Sequence, residues 1–309
     1  MSDLRSVRSL LEVAPRVADA LKAGRPVVAL ESTLITHGFA HPMGVEAARR
    51  AEAAVRAGGA EPATVAVRGG RLVVGLSDSE LEQIAVAESP RKASRATLAL
   101  ALAEGGWAGT TVSATMIAAA LAGVRVFATG GIGGVHRGGE RTMDISADLN
   151  ELARTPVLVV CAGPKSVLDI DLTLEYLETH GVPVLGWQTT ALAGFYARDS
   201  GRVLAGSVAD AADAARIAPT HWALGLSTGV LICVPLPPEA ALSREDAESA
   251  IAQAVADLEA AGIHGPAATP FVLARVAELT GGRSVTANVA LIENNAHVAA
   301  SIAVELSRR

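Results

Sequence analysis

Short apolar runs bounded by glycine or proline alternate with helix-like segments along the chain. The runs are rich in valine and other aliphatic residues, a composition that is typical of strands. Most of them are almost continuously apolar, as expected of strands that are covered on both faces of a sheet. The predicted strands lie in the ranges 26–33, 63–76, 124–131, 156–163, 183–187 and 229–237.

One of these ranges is divided by Gly69 and Gly70 into two apolar runs, which predicts a hairpin. Between the strands, a serine followed three residues later by an acidic residue predicts helix starts at Ser79 and Ser243. The alternation of strands and helices predicts an α/β fold, with three α/β/α layers and a mostly parallel central sheet. No proline- or serine-rich linker interrupts the chain, so we expect a single domain over residues 1–309.

The composition narrows the classes of function. Half of the 309 residues are hydrophobic and the mean hydropathy is +0.36, which is enough apolar material for a large core. The net charge of −6 argues against a general surface for nucleic acid or anionic membranes, so we expect neither partner. A local basic pocket for a phosphate group is compatible with this charge.

Cysteine usage and the N-terminal residues predict a cytoplasmic protein. Cys161 and Cys233 lie in apolar runs, and we interpret them as buried thiols in a reducing compartment, not as a disulfide or a metal pair. The N-terminal residues are broken by charges and lack the apolar core of a signal peptide. The most apolar segment, 97–124, is interrupted by Glu104 and by glycines, so no membrane span is predicted.

Polar residues follow several predicted strands, at the positions where α/β proteins bind ligands. Glu31 directly follows the run PVVAL. At the end of a buried strand, its carboxyl group is partly removed from water and suits proton donation. The same position also suits a capping or salt-bridging glutamate. His37 and His41 lie nearby, but their spacing supplies no further metal ligands.

The stretch ATGGIGGVHRGGERTMDISAD, residues 128–148, places six glycines after a predicted strand. Such glycines let the backbone approach a ligand and direct N–H groups toward an anion. Their spacing is not the dinucleotide-binding fingerprint. Asp144 and Asp148 offer oxygen ligands for a hard cation, although either is also a common cap or turn residue. Hydrogen-bond donors in this stretch are Thr129, His136, Arg137 and Arg141.

Lys165 stands where the run PVLVVCAG ends and a predicted helix begins. A desolvated amine at this edge of a sheet can attack a carbonyl group and form an imine, but position alone favours a lysine that neutralises a phosphate or a nearby acid. Lys92 lies in the basic segment 88–98, which we interpret as a solvated loop that can reach a phosphate. The predicted C-terminal helix carries amides that can bind the edge of a nucleobase, at Asn288, Asn294 and Asn295.

The longest informative segments are ALESTLITHG, TTVSATMIAAALAGVRVFATGGIGGVHRG, DISADLNELARTPVLVVCAG, HWALGL and TPFVLARVAELTGGRS. Together they closely resemble the pseudouridine-5′-phosphate glycosidase family, also called the indigoidine synthase A-like family, over nearly the whole chain. The resemblance implies a single α/β/α domain, usually in a homotrimer. It also implies reversible cleavage of the C–C glycosidic bond of pseudouridine 5′-phosphate to uracil and ribose 5-phosphate, with manganese (Mn²⁺) as cofactor.

The resemblance further implies roles for individual residues. Lys165 matches the imine-forming lysine, Glu31 the proton donor and Asp144 the manganese-associated aspartate. The matched substrate-binding and active-site positions are Lys92, Val112, Ser146, Ala147, Asp148 and Asn288. In this scheme, an imine at C1′ of the opened sugar is the electron sink while Glu31 protonates the departing uracil carbon.

The sequence departs from the family pattern in three places, one of which is STGVLICVPLP, where the family has a glycine-rich, asparagine-containing stretch. Near Arg95 it reads ASRATL, where a second arginine and an aspartate are common, and it has Thr190 where an aspartate is usual. One alternative is therefore a C-glycoside synthase that joins ribose 5-phosphate to a different aglycone. Another is a sugar-phosphate-binding protein without catalytic activity, against which the presence of Lys165 and Glu31 argues.

Overall fold

Eleven strands form one sheet in the computed structural model of this chain, which describes residues 9–263 and 268–309. Their bounds are β1 Leu11–Val13, β2 Val27–Leu30, β3 Glu61–Arg68, β4 Arg71–Val74, β5 Arg91–Ala93, β6 Ala108–Thr110, β7 Val126–Ala128, β9 Leu158–Cys161, β11 Val184–Trp187, β12 Gly206–Val208 and β13 Val230–Cys233. Two further short strands, β8 Val135–His136 and β10 Leu168–Asp169, pair antiparallel outside this sheet.

The strand order of the main sheet is β1-β4-β3-β2-β7-β9-β13-β11-β12, and β6 lies beside the second half of β3 with β5 next to it. The strands from β3 to β12 in this order run parallel. Within the described ranges, the antiparallel pairs of this sheet are β3 with β4 and β3 with β6. The predicted mostly parallel sheet is confirmed, and each of the six predicted ranges contains a strand.

The hairpin predicted at Gly69 and Gly70 is confirmed as the connection between β3 and β4. Both glycines have positive φ angles, of +57° and +77°. A two-residue hairpin turn needs this left-handed backbone, and glycine adopts it without a steric penalty.

Helices cover both faces of the sheet. Their bounds are α1 Pro15–Lys22, α2 Met43–Ala57, α3 Asp78–Ala85, α4 Leu98–Glu104, α5 Val112–Ala122, α6 Gly139–Thr142, α7 Ala147–Leu152, α8 Ile170–Thr179, α9 Ala211–Ala223, α10 Arg244–Ala260, α11 Ala268–Leu279 and α12 Arg283–Ser307. A π-helical turn, Leu34–Gly38, precedes α2. Helix α12 packs on α2, β2, β7 and β9, whereas α5 packs on β2, β3, β4 and β7.

Alternate residues of a central strand point to opposite faces of the sheet. Val28 and Leu30 of β2 belong to the apolar core beneath α12, whereas Val27 and Ala29 belong to the core beneath α5. All four side chains are buried. The sheet is therefore the middle one of three layers, which confirms the predicted α/β/α arrangement and explains why the strands are continuously apolar.

One of the two predicted helix starts is confirmed and the other is shifted. The hydroxyl group of Ser243 accepts a hydrogen bond from a backbone N–H in the first turn of α10. The prediction at Ser79 is wrong by two residues, because Ser77 caps α3 in a reciprocal pair with Glu80. Two overlapping serine–glutamate pairs have the same spacing here, and the pair nearer to the preceding strand forms the cap.

Four strands of the sheet lie outside the predicted ranges, namely β1, β5, β6 and β12. Each has three residues and includes a charged, polar or glycine residue, so it shows neither a period nor an apolar run; β7 is equally short but wholly apolar. The interpretation of segment 88–98 as a solvated loop is wrong for Arg91–Ala93, because these residues form β5 and pair in parallel with β6. Among the described residues, none of the helices is long and apolar enough to cross a membrane.

Candidate functional site

Three neighbouring strands, β2, β7 and β9, end at the same edge of the sheet. Glu31 follows β2 directly, Thr129 follows β7 directly, and Lys165 lies in the loop after β9. Parallel strands bring their carboxyl ends together, and α/β proteins bind ligands at this edge. The structure thus brings two residues that are distant in sequence, Glu31 and Lys165, to one place.

Lys165 lies in a loop, so the prediction of a helix start directly after it is wrong. Helix α8 begins five residues later, after its cap Asp169. Gly163 allows this loop, because its φ is +88° and a Cβ there would lie 2.8 Å from the carbonyl oxygen of Ala193. The Lys165 N–H donates to the carbonyl of Ile132 at 3.0 Å, and the residue is half-buried.

The glycine-rich loop after β7 runs beside the loop after β9. Backbone hydrogen bonds join the two loops, from Ala162 N–H to Gly130 at 2.9 Å and from Ile132 N–H to Gly163 at 3.2 Å. Position 133 has no room for a side chain, since a Cβ on Gly133 would lie 2.2 Å from the hydroxyl oxygen of Ser146. The glycines therefore let the loop lie close to its neighbours, at the edge where Lys165 stands.

The carboxyl group of Glu31 is 5% exposed, and both of its oxygens accept hydrogen bonds. Thr33 donates to Oε2 and Thr129 donates to Oε1. Thr129 is itself held by the buried Asn295, whose Nδ2 donates to the Thr129 carbonyl at 2.9 Å. These contacts hold the Glu31 carboxyl group in one orientation.

A cavity of about 350 Å³ lies at this edge of the sheet, within the range of roughly 300–1,000 Å³ that is common for small-molecule sites. It brings together eight of the nine predicted site residues. Those that line it are Glu31, Lys92, Asp144, Ser146, Ala147, Asp148, Lys165 and Asn288.

Val112 is the predicted site residue whose side chain does not line the cavity. It is 1% exposed and belongs to the apolar core beneath α5. Its neighbour Thr111 lines the cavity. Because Val112 is the first residue of α5, it can offer a ligand its backbone N–H at the helix N-terminus, and not its side chain.

The cavity has a polar wall and an apolar wall, which come from opposite faces of the sheet. The polar wall, on the α5 side, consists of Lys92, Ser94, Thr97, Thr111, Ser146, Ala147 and Asp148. The apolar wall, on the α12 side, consists of Phe39, Phe195, Pro270, Leu273 and Ile292, with the amide of Asn288 among them. The glycine-rich loop reaches both walls, since a Cβ at Gly130 would lie 3.2 Å from Ile292 and one at Gly133 would lie 2.8 Å from Asp148.

Lys92 is half-buried in the polar wall, close to the other charged groups of the site. Burial lowers the pKa of Lys92, and the positive charge of Lys165 lowers it further, while Asp148 and Glu31 act in the opposite direction. The pKa of His37 is also lowered, first by burial and then by the charge of Lys92. A bound anion would therefore stabilise the charged form of Lys92, because it would offset the effects of burial and of the positive charge of Lys165.

The two candidate cation ligands, Asp144 and Asp148, differ in burial and in the hydrogen bonds of their carboxylates. Asp148 is buried, and its two oxygens accept hydrogen bonds from the N–H groups of Ser113 and Gly133, both at 2.9 Å. Asp144 is exposed at the rim of the cavity. Within residues 9–263 and 268–309, no group of three or more His, Cys, Asp or Glu side chains is arranged to hold a metal ion. A cation at Asp144 would therefore take its other ligands from water and substrate.

Other polar residues that the sequence singled out lie elsewhere. Asn294 donates a hydrogen bond to the carbonyl of Pro235 at 3.3 Å and does not line this cavity. Arg141 is exposed, and so is Thr190, which lies outside the cavity. Of the three departures from the family pattern, the one near Arg95 bears on the site, because Thr97 lines the polar wall.

A larger cavity, of about 550 Å³, lies beside the first and shares Leu168 with it. It is lined by Arg137, which the sequence suggested as a donor to an anion, and by the ion pair between Arg202 and Asp171. None of the nine predicted site residues lines it. A choice by volume alone would select the larger cavity as the candidate site. The convergence of the predicted site residues favours the smaller cavity instead.

Known proteins match this chain over almost its full length. Residues 16–305 match the family described as indigoidine synthase A like protein. The chain is 51% identical over 298 residues to the pseudouridine-5′-phosphate glycosidase of Caldanaerobacter subterraneus subsp. tengcongensis, covering 96% of this chain and 97% of that protein. It is 50% identical over 309 residues to the protein of the same name from Escherichia coli K12, covering 100% and 99%.

Two solved structures have the same fold. The prealnumycin C-glycosynthase AlnA, in complex with ribulose 5-phosphate, superposes with a TM-score of 0.90 at 43% identity, covering 97% of both chains. An indigoidine synthase A-like protein from Thermotoga maritima superposes with a TM-score of 0.88 at 33% identity, again covering 97% of both chains.

Proposed function

Because this chain belongs to the indigoidine synthase A-like family, we propose that it is a pseudouridine-5′-phosphate glycosidase. It reversibly cleaves the C–C glycosidic bond of pseudouridine 5′-phosphate and gives uracil and ribose 5-phosphate. Its relatives at about half identity carry this name. The observation that supports the proposal most directly is the convergence of the Lys165 amine, the Glu31 carboxyl group and the polar wall in one cavity.

The two walls of the cavity suit the two halves of the substrate. The polar wall offers a phosphate the ammonium group of Lys92 and several hydroxyl groups, which are the donors that bind phosphate in proteins. The structural relative AlnA was solved with ribulose 5-phosphate, an isomer of ribose 5-phosphate. The flat base then lies against the apolar wall, where the amide of Asn288 can hydrogen-bond to its edge. Glu31 and Lys165 line the same cavity, so both can reach the bond to be broken.

Lys165 acts as the nucleophile and Glu31 as the acid. The Lys165 amine bonds to C1′ as the bond from C1′ to the ring oxygen O4′ breaks, and the amine proton goes to O4′, so that the sugar opens. The nitrogen electron pair then forms the C=N bond of a protonated imine as the bond from C1′ to the base breaks. Glu31 donates a proton to the base carbon, so that uracil leaves as a neutral molecule. Water then hydrolyses the imine and frees both the amine and ribose 5-phosphate. Synthesis follows the same steps in reverse.

A Mn²⁺ ion at Asp144 is the proposed cofactor. The exposed carboxylate of Asp144 at the cavity rim fits a hard cation that keeps several water ligands. When bound, the ion offsets the negative charge of the substrate phosphate. Asp148, four residues after Asp144, joins this segment to the start of α5 and to the glycine-rich loop by accepting hydrogen bonds from the N–H groups of Ser113 and Gly133.

A homotrimer, a cytoplasmic location and a single domain over residues 1–309 are also proposed, from the family resemblance and the composition. No nucleic-acid or membrane partner is expected for a chain of net charge −6. Light scattering after size-exclusion chromatography tests the trimer. The mass of three chains supports it, and the mass of one or two chains excludes it.

Trapping with borohydride tests the imine. The protein is incubated with ribose 5-phosphate and Mn²⁺, borohydride is added, and peptide mass mapping locates the adduct. We expect the adduct at Lys165 and none with Lys165→Arg, which keeps the positive charge but lacks the reactive amine. Addition of uracil to the wild-type protein should give pseudouridine 5′-phosphate. Absence of any adduct in the wild-type protein would favour sugar-phosphate binding without catalysis.

The variant Glu31→Gln separates the two roles. Imine formation at Lys165 does not need the Glu31 proton, so we expect the borohydride adduct to persist. Formation of pseudouridine 5′-phosphate should fall by about 10²- to 10⁴-fold, the usual contribution of a general acid or base. If Glu31→Gln keeps full turnover, the proton donor lies elsewhere.

A C-glycoside synthase for another aglycone is the second candidate function, favoured by the likeness to AlnA. The polar wall and Lys165 serve both candidates equally, since both use a sugar phosphate. A panel of planar acceptors with ribose 5-phosphate decides between them. If uracil fails to react and another acceptor gives a product, the synthase is the correct assignment.

A further inference from the structure

The polar wall is assembled from three separate segments of the chain. These are β5 with Lys92, the start of α5, and α7 with Asp148. Residues behind the wall connect the three segments. Ser113 is fully buried, and its hydroxyl group accepts a hydrogen bond from the N–H of Arg95 at 3.1 Å, while its own N–H donates to Asp148 at 2.9 Å.

An ion pair strengthens the same connection. The guanidinium group of Arg95, three residues after Lys92, pairs with Glu151 of α7. The Glu151 side chain is 2% exposed, that of Arg95 is 37% exposed, and Glu151 also accepts a hydrogen bond from Thr155. Glu151 lies about one helical turn after Asp148, so the pair connects the Lys92 segment directly to the helix that carries Asp148.

We propose that Arg95, Glu151 and Ser113 are positioning residues that set the shape of the phosphate-binding wall. None of the three lines the cavity, so they act through Lys92 and Asp148. This inference rests on the proposed function, in which the polar wall binds the phosphate of ribose 5-phosphate. Loss of the pair allows the Lys92 segment and α7 to move apart, which weakens sugar-phosphate binding and leaves the chemistry at Lys165 intact.

A second buried glutamate, Glu52, provides a matched control for Glu151. Its replacement should affect stability without affecting the phosphate-binding wall. Glu52 of α2 pairs with Arg56 at 2.8 Å and accepts a hydrogen bond from the buried Thr64 at 2.6 Å. The Glu52 side chain is 7% exposed. This is the same combination of one buried glutamate, one arginine and one threonine as at Glu151, but none of its members lines the cavity or contacts a residue of the polar wall in the described hydrogen-bond network.

Titration calorimetry with ribose 5-phosphate tests the proposal on the full-length protein. We expect Glu151→Gln and Arg95→Ala to raise the Kd by about tenfold, and Arg95→Lys to restore part of the affinity. Glu52→Gln should lower the midpoint of thermal unfolding by about as much as Glu151→Gln does, while it changes the Kd by less than about twofold. At saturating ribose 5-phosphate, the rate of borohydride trapping at Lys165 should stay within about twofold of wild type in all variants.

Two results would overturn the inference: an unchanged Kd in Glu151→Gln and Arg95→Ala, or an equal rise in Glu52→Gln. If Glu151→Gln does not fold, the two Arg95 variants decide the question, because a partly exposed arginine tolerates replacement. A wild-type protein that fails to bind ribose 5-phosphate overturns the proposed function, and the inference falls with it. Wild-type binding together with unchanged variants overturns the positioning role alone.

Discussion

The hydroxyl group of Thr129 donates a hydrogen bond to Oε1 of Glu31, joining the ends of the adjacent strands β7 and β2. Thr33 holds the second oxygen of the same carboxyl group. The proposed acid is thus oriented by two hydroxyl groups, one from its own strand end and one from the neighbouring strand. Asn295 fixes the second of these through the Thr129 backbone.

Removal of the Thr129 hydroxyl should therefore impair turnover more than binding. We expect Thr129→Val to lower the turnover number by about 100-fold, since small displacements of a catalytic group cost this much. The Kd for ribose 5-phosphate should stay unchanged, and Thr129→Ser should restore most of the activity. Thr64→Val is the control, because it removes an equivalent hydrogen bond to Glu52 away from the cavity. Full turnover in Thr129→Val would show that the hydroxyl does not orient the acid.

The affinity for ribose 5-phosphate should fall in alkaline solution before an ordinary lysine would titrate. Burial and the charge of Lys165 lower the pKa of Lys92, so its charge is lost as pH rises through this lowered value. The phosphate stays doubly charged above its second pKa of about 6, so the change comes from the protein. Calorimetry across a pH series measures it. Lys92→Arg keeps its charge throughout and should remove this alkaline weakening, and an unaltered profile in that variant would exclude Lys92 as its origin.

The apolar wall should determine which base is accepted. Leu273 of α11 is half-buried in this wall, and Leu273→Ala removes contact area that a planar base would cover. We expect the KM for uracil to rise by roughly 10- to 100-fold, the usual effect of lost apolar contacts in a substrate pocket. The KM for ribose 5-phosphate should be unchanged. Leu279→Ala, at the exposed end of the same helix, is the control. Equal increases for both substrates would contradict the division into two walls.

Manganese binding should depend on Asp144. Calorimetric titration of Mn²⁺ in the presence of ribose 5-phosphate should show at least about tenfold weaker binding to Asp144→Asn, because a carboxylate ligand is lost. Glu140→Gln removes another exposed acid, on the neighbouring helix α6, and should bind Mn²⁺ like the wild type. Unaltered Mn²⁺ affinity in Asp144→Asn would place the ion at another position.

Local patterns in the sequence were sufficient to predict the three layers and to mark Glu31 and Lys165 as charged residues at strand ends, whereas their catalytic roles came from the family resemblance. A continuously apolar run identifies a strand buried on both faces, and a lone polar residue directly after it, such as Glu31, stands out without any knowledge of the fold. The same patterns fail for β5, whose three residues include two charged ones, and they therefore predict that Lys92 lies in a solvated loop. They also placed the start of α8 too early, next to Lys165.

The sequence by itself determined that the six apolar ranges contain strands, and which of their ends carry an amine, a carboxylate or glycines. Only the tertiary structure decided that β2, β7 and β9 are neighbours, and hence that Thr129 reaches Glu31 and that Arg95 reaches Glu151. The physical reason is that periodicity reports how each segment is buried, which is a local property. Contacts between segments far apart in the chain depend on strand order and register, which arise only when all the layers pack together.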